Sequence, residues 1–260
     1  ELKNWEWLVL EHFVRMLPFV CLLIYIRHWK YNNKHSRNGF ILVILALGTV
    51  ILTFPTGIAR FLVGIVYGAL VLSLLDSYLS SRNVAYFLIL GLFVAFPFLD
   101  NFRFYNGNLS LNYSWSYFFE GHFDAYFNLA KTVNVDITYG EQLLGALLFF
   151  VPRSFWQNKP INSGSYVSNE LHMSWDNISM PYIAEGYLNL GYLGVIIFAV
   201  CLSLIYIKLD GYINSRSPQG FLFVGIIVFL LRGSFMSAYS YAFGIYLAYR
   251  MVEKLVLKRI

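Results

Sequence analysis

The chain has 260 residues and is 58% hydrophobic and 19% aromatic, with 13% charged residues and a formal net charge of +5. Soluble domains carry roughly 25% charged residues, so the composition argues against an ordinary soluble globular domain. Lys and Arg gather at the ends of apolar runs instead of forming one patch, so the positive balance is no nucleic-acid signature and no nucleic acid is expected as a partner.

The chain begins at Glu1 with neither a basic leader nor a small-residue cleavage site. It reads as the C-terminal part of a longer protein whose N-terminal part holds further membrane helices. A bilayer crossing needs roughly 17–25 apolar residues. Crossings are predicted over residues 7–26, 39–54, 58–75, 84–99 and 187–207. The stretch 219–250 is too long for one helix and predicts two, meeting near Arg232 and Gly233. No barrel-like alternation is present, so the backbone must satisfy itself as helices. The expected fold is an all-α polytopic membrane protein, one membrane domain over 1–260 with seven crossings. Cys21 and Cys201 both lie in apolar runs, with neither metal spacing nor a disulfide framework.

Short loops rich in Lys and Arg stay on the cytoplasmic side. The stretch "RHWKYNNKHSRN" holds Arg27, Lys30, Lys34 and Arg37. Arg82, Lys208, Arg216, Lys254, Lys258 and Arg259 fall on the same side by alternation. The turn 54–57 and the long loop 100–181 fall on the other, periplasmic side. That loop is more acidic than basic and rich in aromatics, so it is expected to fold rather than to be disordered. Within it, "FDAYFNLAKTV" predicts a short amphipathic helix. The segment "QLLGALLFFV" is too short to span and is expected to lie along the membrane surface and pack on the bundle. The aromatic string "YSWSY" suits an interface belt or a platform for flat ligands.

Charged residues at membrane depth are candidates for function because they are costly unless paired. Arg60 in "FPTGIARF", Arg153 and Lys159 in "FFVPRSFWQNKP", Glu185 in "YIAEGYLNLGYLG" and Arg232 in "FLLRGSFMSAYS" all fall toward one side. Several cations at one mouth suit an anionic ligand. Each also has a plainer reading. An Arg at a helix end anchors at the interface, and Glu185 favours a helix N-terminus. Glu11 and Arg15 are four apart and read as an intrahelical ion pair. His122 and Asp124 in "EGHFDAYFN" are either loop polars or catalytic groups. His172 reads as surface. Taken together, separated cations, aromatics and an ordered loop fit a polyprenyl-pyrophosphate-linked sugar.

The string "PRSFWQNKP" resembles the P-R-x-x-W-x-x-K-P segment of the bacterial O-antigen polymerases, the oligosaccharide repeat-unit polymerases. "AEGYLNLGYLG" is similar to the family's E-x-Y-x-N-x-G-x-x-G, and "FPTGIARF", "LLRGSF" and "GHFDAYFN" resemble further family segments. The likeness runs from about Thr53 to Gly233. It implies a multi-pass inner-membrane glycosyltransferase with its site facing the periplasm. Such an enzyme passes a glycan from undecaprenyl pyrophosphate to the sugar of another lipid-linked repeat unit. The expected partners are that lipid-linked oligosaccharide, the bilayer, the chain-length regulator and the flippase. On this reading Arg60, Arg153, Lys159 and Arg232 hold the pyrophosphate. Trp156 offers a flat face to a sugar or to the interface. Asp124 and Glu185, with His122 behind them, serve the acceptor hydroxyl. No cofactor and no metal are expected. An O-antigen ligase and a lipid-linked glycan flippase use the same donor class and stand as alternatives. A structural or regulatory membrane protein is a third, one that leaves the charges at membrane depth without a purpose.

Overall fold

The computed structural model describes residues 4–31, 39–56, 58, 60–78, 81–103, 113, 118, 124–176 and 178–256. Every element among them is helical. Helix α1 (Asn4–Val9) passes through a π-helical turn, Leu10–Val14, into α2 (Leu17–Tyr31). Glu11 and Arg15 pair across one turn there, as expected. Helices α3 (Gly39–Leu52) and α4 (Arg60–Leu74) follow, then α5 (Ser81–Leu90), a second π turn and α6 (Phe96–Arg103). The predicted loop contains α7 (Ala125–Thr132), α8 (Glu141–Leu147) and α9 (Ser163–Glu170). The first two match "FDAYFNLAKTV" and "QLLGALLFFV", and α8 packs on α10 and α12; α9 was not anticipated. The chain closes with α10 (Tyr182–Asn214), α11 (Pro218–Arg232) and α12 (Phe235–Val256), the last two separated at the expected Arg232–Gly233 break.

Among the described residues, two of the seven expected crossings are long and apolar enough to traverse a bilayer, Glu6–Tyr31 with 26 residues and Tyr182–Asn214 with 33. The apolar helices Gly39–Leu52, Phe61–Leu74 and Pro218–Arg232 are shorter. At 1.5 Å per residue, the 14 residues of α3 reach about 21 Å, less than the ~30 Å hydrocarbon core. Hydropathy runs on through the turns that end these helices, so the sequence overstates their length.

Helix α10 is broken inside. Leu190 (φ −140°, ψ 17°) and Gly191 (φ 62°, ψ −146°) leave helical geometry. A Cβ placed on Gly194 would lie 1.9 Å from the carbonyl oxygen of Gly186. Residues eight apart in a straight helix are about 12 Å apart, so the helix turns sharply back on itself here. Glycine at 191 supplies the positive φ, and glycine at 194 supplies the backbone contact. The single crossing expected over 187–207 is thus a short segment up to Asn189 and a long rod beyond Gly191. The outer face of that rod, Tyr192, Leu193, Ile196, Val200, Leu204 and Ile207, is exposed and apolar.

The core lies between α2, α4, α11 and α12, where Phe19, Leu23, Leu62, Ile65, Leu222 and Ile245 are buried together. Helices α4 and α11 touch closely because position 225 is glycine; a Cβ there would come 2.8 Å from Ile65 Cα. They run antiparallel, so each end of the pair gathers a different polar group.

At the end where α4 finishes, Arg27 Nη1 donates to Asp76 at 2.5 Å, and Lys30 and Tyr31 donate to the same carboxylate. Arg27 also donates to the carbonyl of Arg216. Two of the turns expected to share a side therefore meet. Burial would push the Asp76 carboxyl up, but hydrogen bonds from Lys30, Tyr31 and Arg27 overcome this and hold it down at about 2, against an ordinary 3.8. A depressed carboxylate stabilises the fold above its unfolded value and loses that contribution on protonation. Stability from this cluster should be constant above pH 3.8 and fall as the pH drops toward about 2. Asp76→Asn should flatten that acid limb in a thermal-unfolding series; an unchanged limb would assign it to other groups.

Candidate functional site

The opposite end of the α4–α11 pair holds most of the residues singled out from sequence. Helix α11 ends at Arg232 because Gly233 turns to extended backbone (φ −81°, ψ 173°). A Cβ at Gly233 would lie 2.2 Å from the Phe229 ring. That ring stacks on Phe61 at 5.0 Å. The Arg232 guanidinium lies over Phe61, 4.8 Å from its centroid, which fixes the plane of its fork. Phe61 is the second residue of α4, so the backbone of Arg60 sits beside Arg232. The Arg60 side chain lies outside the described residues.

Asp124 stands just before α7, yet its side chain does not cap that helix. Its carboxylate accepts from Ser179 Oγ at 2.5 Å and from Asn128 Nδ2 at 2.8 Å. Asn128 is buried and also donates to the Ser179 carbonyl at 3.0 Å. Arg232 Nη2 lies 3.6 Å from Asp124 Oδ1. That separation is an ion pair without a hydrogen bond. Both side chains remain about a quarter open, at 27% and 22% exposure, so a ligand can reach the pair from solvent. His122, the third residue expected here, lies outside the described residues.

Glu185 has a different surrounding. It is buried; its Oε2 accepts from Ser163 Oγ at 2.7 Å and its Oε1 from the Phe235 N–H at 2.8 Å. It thereby ties the first turns of α9, α10 and α12 together. Both oxygens are engaged and the side chain is buried, so it joins these helix starts where the sequence reading has it serving the acceptor hydroxyl. Its neighbours extend the tie. Asn162 Nδ2 donates to Ser234 Oγ at 2.8 Å. Asn189, also buried, donates to the Glu185 carbonyl and accepts from the Leu143 N–H, both at 2.8 Å.

The string "PRSFWQNKP" is a chain of tight turns. The N–H of Trp156 donates to the Pro152 carbonyl at 3.2 Å, and the N–H of Lys159 donates to the Trp156 carbonyl at 3.1 Å. The Lys159 ammonium turns inward and donates to the carbonyls of Phe149 and Val151, at 2.5 and 3.0 Å. Burial pushes this ammonium below its ordinary value, and the Arg153 charge adds to the shift. Lys159, expected to face the pyrophosphate, instead binds the carbonyls that follow α8. Arg153 is exposed and spends one N–H on the Lys159 carbonyl at 2.9 Å, which leaves the rest of its fork open among the described residues. Trp156 is half-buried. Pro160 packs on Gly145 of α8, where a Cβ would meet it at 2.9 Å. Asn162, two residues past Pro160, reaches Ser234, two past Arg232, so the loop ends at the same joint.

Lys159→Met should loosen this loop without unfolding the bundle, since each buried partner left unpaired is worth about 1–3 kcal/mol and the damage stays local. Limited proteolysis should show faster nicking within 152–160 at an unchanged global unfolding temperature. An unchanged nicking pattern would remove the clamp.

Sequence reasoning singled out Asp124, Glu185 and Arg232 but missed the groups that hold them: Asn128, Ser179, Ser163, Asn162 and Asn189. Asn128, four residues after Asp124, carried a helical-spacing signal; the serines carried none. His172 is exposed. Among the described residues no three His, Cys, Asp or Glu side chains gather in a metal-holding group. Compared with protein-family models, curated proteins and solved structures, the chain matches none.

Proposed function

We propose that the protein is a membrane glycosyltransferase of the O-antigen polymerase type, joining undecaprenyl-pyrophosphate-linked repeat units at the periplasmic face of the inner membrane. One observation carries the proposal. Asp124 and Arg232, more than a hundred residues apart in sequence, form a solvent-accessible acid–cation pair beside the start of α4. The joint held by Glu185 braces it, and the motif loop ends there. The resemblance of the same strings to the polymerases supplies the reaction. The apolar outer faces of α3 and α10 suit lipid.

In the proposed step the acceptor hydroxyl oxygen attacks the anomeric carbon of the donor, and the bond from that carbon to the pyrophosphate oxygen breaks. The electron pair leaves with undecaprenyl pyrophosphate, and the hydroxyl proton passes to the Asp124 carboxylate. Arg232, its plane set by Phe61, stabilises the negative charge that builds on the leaving group. Arg153 offers a second open fork. Lys159 and Glu185 contribute by holding the loop and the helix starts in place.

The test is a lipopolysaccharide gel from a strain lacking the full-length gene, with and without complementation. The expected result without the gene is a core carrying a single repeat unit, with the ladder restored on complementation. Bare core would point instead to ligation or flipping, and would end the polymerase reading.

A further inference from the structure

The far end of the α4–α11 pair carries a second group of cations that the proposed reaction does not use. Helix α10 closes there in a Schellman-type turn: Ser217 N–H donates to the Tyr212 carbonyl at 2.8 Å and Arg216 N–H to the Ile213 carbonyl at 2.9 Å. The residue in the left-handed position of such a turn is usually glycine. Here it is Arg216, with φ 55°. A strained non-glycine residue points to a task for its side chain.

The Arg216 guanidinium lies 5.1 Å from the centroid of the Tyr31 ring. Beneath it, Arg27 is sandwiched between Tyr31 and Phe221, at 4.5 and 4.4 Å. The one carboxylate of the cluster is already taken: Asp76 Oδ1 accepts from Lys30, and Oδ2 from Arg27 and Tyr31. Three cations thus face a single anion, and the fork of Arg216 has no acceptor among the described residues. The Nε of Arg27 is also buried without a hydrogen-bond partner. A cavity of about 180 Å³ opens beside the cluster, lined by Asp76, Ile213, Asn214, Arg216 and Phe221.

We propose that this end of the bundle binds a phosphate-bearing anion in the fork of Arg216, either a phospholipid headgroup or a soluble phosphate. A guanidinium fork matches two phosphate oxygens, and the surplus positive charge supplies the attraction. The headgroup source rests on the membrane reading above; the soluble source does not, so the two proposals fail separately.

The test uses the full chain in detergent. Phosphatidylglycerol retention is read by native mass spectrometry, with phosphatidylethanolamine as the neutral control. Sodium phosphate is read by thermal shift. Arg216→Gly suits the positive φ, so it should fold with an unfolding temperature at or above that of the wild type while binding about tenfold more weakly or worse. Arg216→Gln, which keeps reach without charge, should show the same loss. Loss confined to phosphatidylglycerol identifies the headgroup, and loss of the phosphate shift identifies a soluble ligand. Variants that bind both probes as tightly as the wild type overturn the site, as does a wild type that binds neither.

Discussion

Arg232→Ala is expected to abolish the polymer ladder while the protein still accumulates in the membrane. The side chain lies on Phe61 and faces Asp124 across 3.6 Å, about a quarter exposed. Removing it spares the two rings of the Phe61–Phe229 stack and takes away the cation proposed to face the leaving group. Loss of one preorganised group that stabilises transition-state charge lowers the rate by about 10²–10³. Arg232→Lys should recover part of this, since the charge remains but the planar fork and its stack on the ring do not. Asp124→Asn should mirror the defect by removing the proposed proton acceptor; its one oxygen can still accept from Asn128 Nδ2 while its amide donates to Ser179 Oγ. In vitro polymerisation with purified lipid-linked repeat units reads all three. Wild-type chain lengths from Arg232→Ala would end the leaving-group role.

The second large effect is one of stability. Glu185→Ala strips the acceptors from Ser163 Oγ and the Phe235 N–H, both in a buried setting. Each buried donor left unpaired costs about 1–3 kcal/mol, so the variant should be less stable by about 2–6 kcal/mol in all. Glu185→Gln retains a carbonyl and an amide of the same shape and should lose much less. Thermal unfolding in detergent separates the two. Equal stability of Glu185→Ala and the wild type would show that the three helix starts are held by packing alone, and would return Glu185 to the list of candidate bases.

The two carboxylates differ through their surroundings, not their type. Asp124 is held by Asn128 and Ser179 at the edge of the bundle, open to solvent and to Arg232. Glu185 stands in the first turn of α10, where the starts of α9 and α12 close over it. On sequence alone each suits the acceptor hydroxyl, because a sequence lists acids without showing what comes back to cover them. Lys159 is a parallel case. In the string it stands with Arg153 and Trp156 as a charge for a ligand, yet the turns between them bring it back onto Phe149 and Val151.

Local rules carried some features far. The break at Arg232–Gly233 was legible because small residues follow an overlong apolar run. The helices α7 and α8 were legible from amphipathic spacing and from a run too short to span. The Glu11–Arg15 pair followed from a spacing of four. Helix α9 was missed, since "SGSYVSNE" has almost no apolar periodicity; Asn162 starts it by accepting from the Gly164 N–H at 2.9 Å.

By itself, then, the sequence determined the helical class, the apolar runs and the places where a helix must stop, because hydropathy, glycine and helical spacing act over a few residues. Only the tertiary structure decided that α10 folds back at Gly191, that Asp124 meets Arg232, and that Glu185 and Lys159 face inward. It also decided that Arg27, Asp76 and Arg216 gather at the far end. Those outcomes depend on which distant backbone carbonyl, amide or ring arrives beside each charge, and no local rule fixes that.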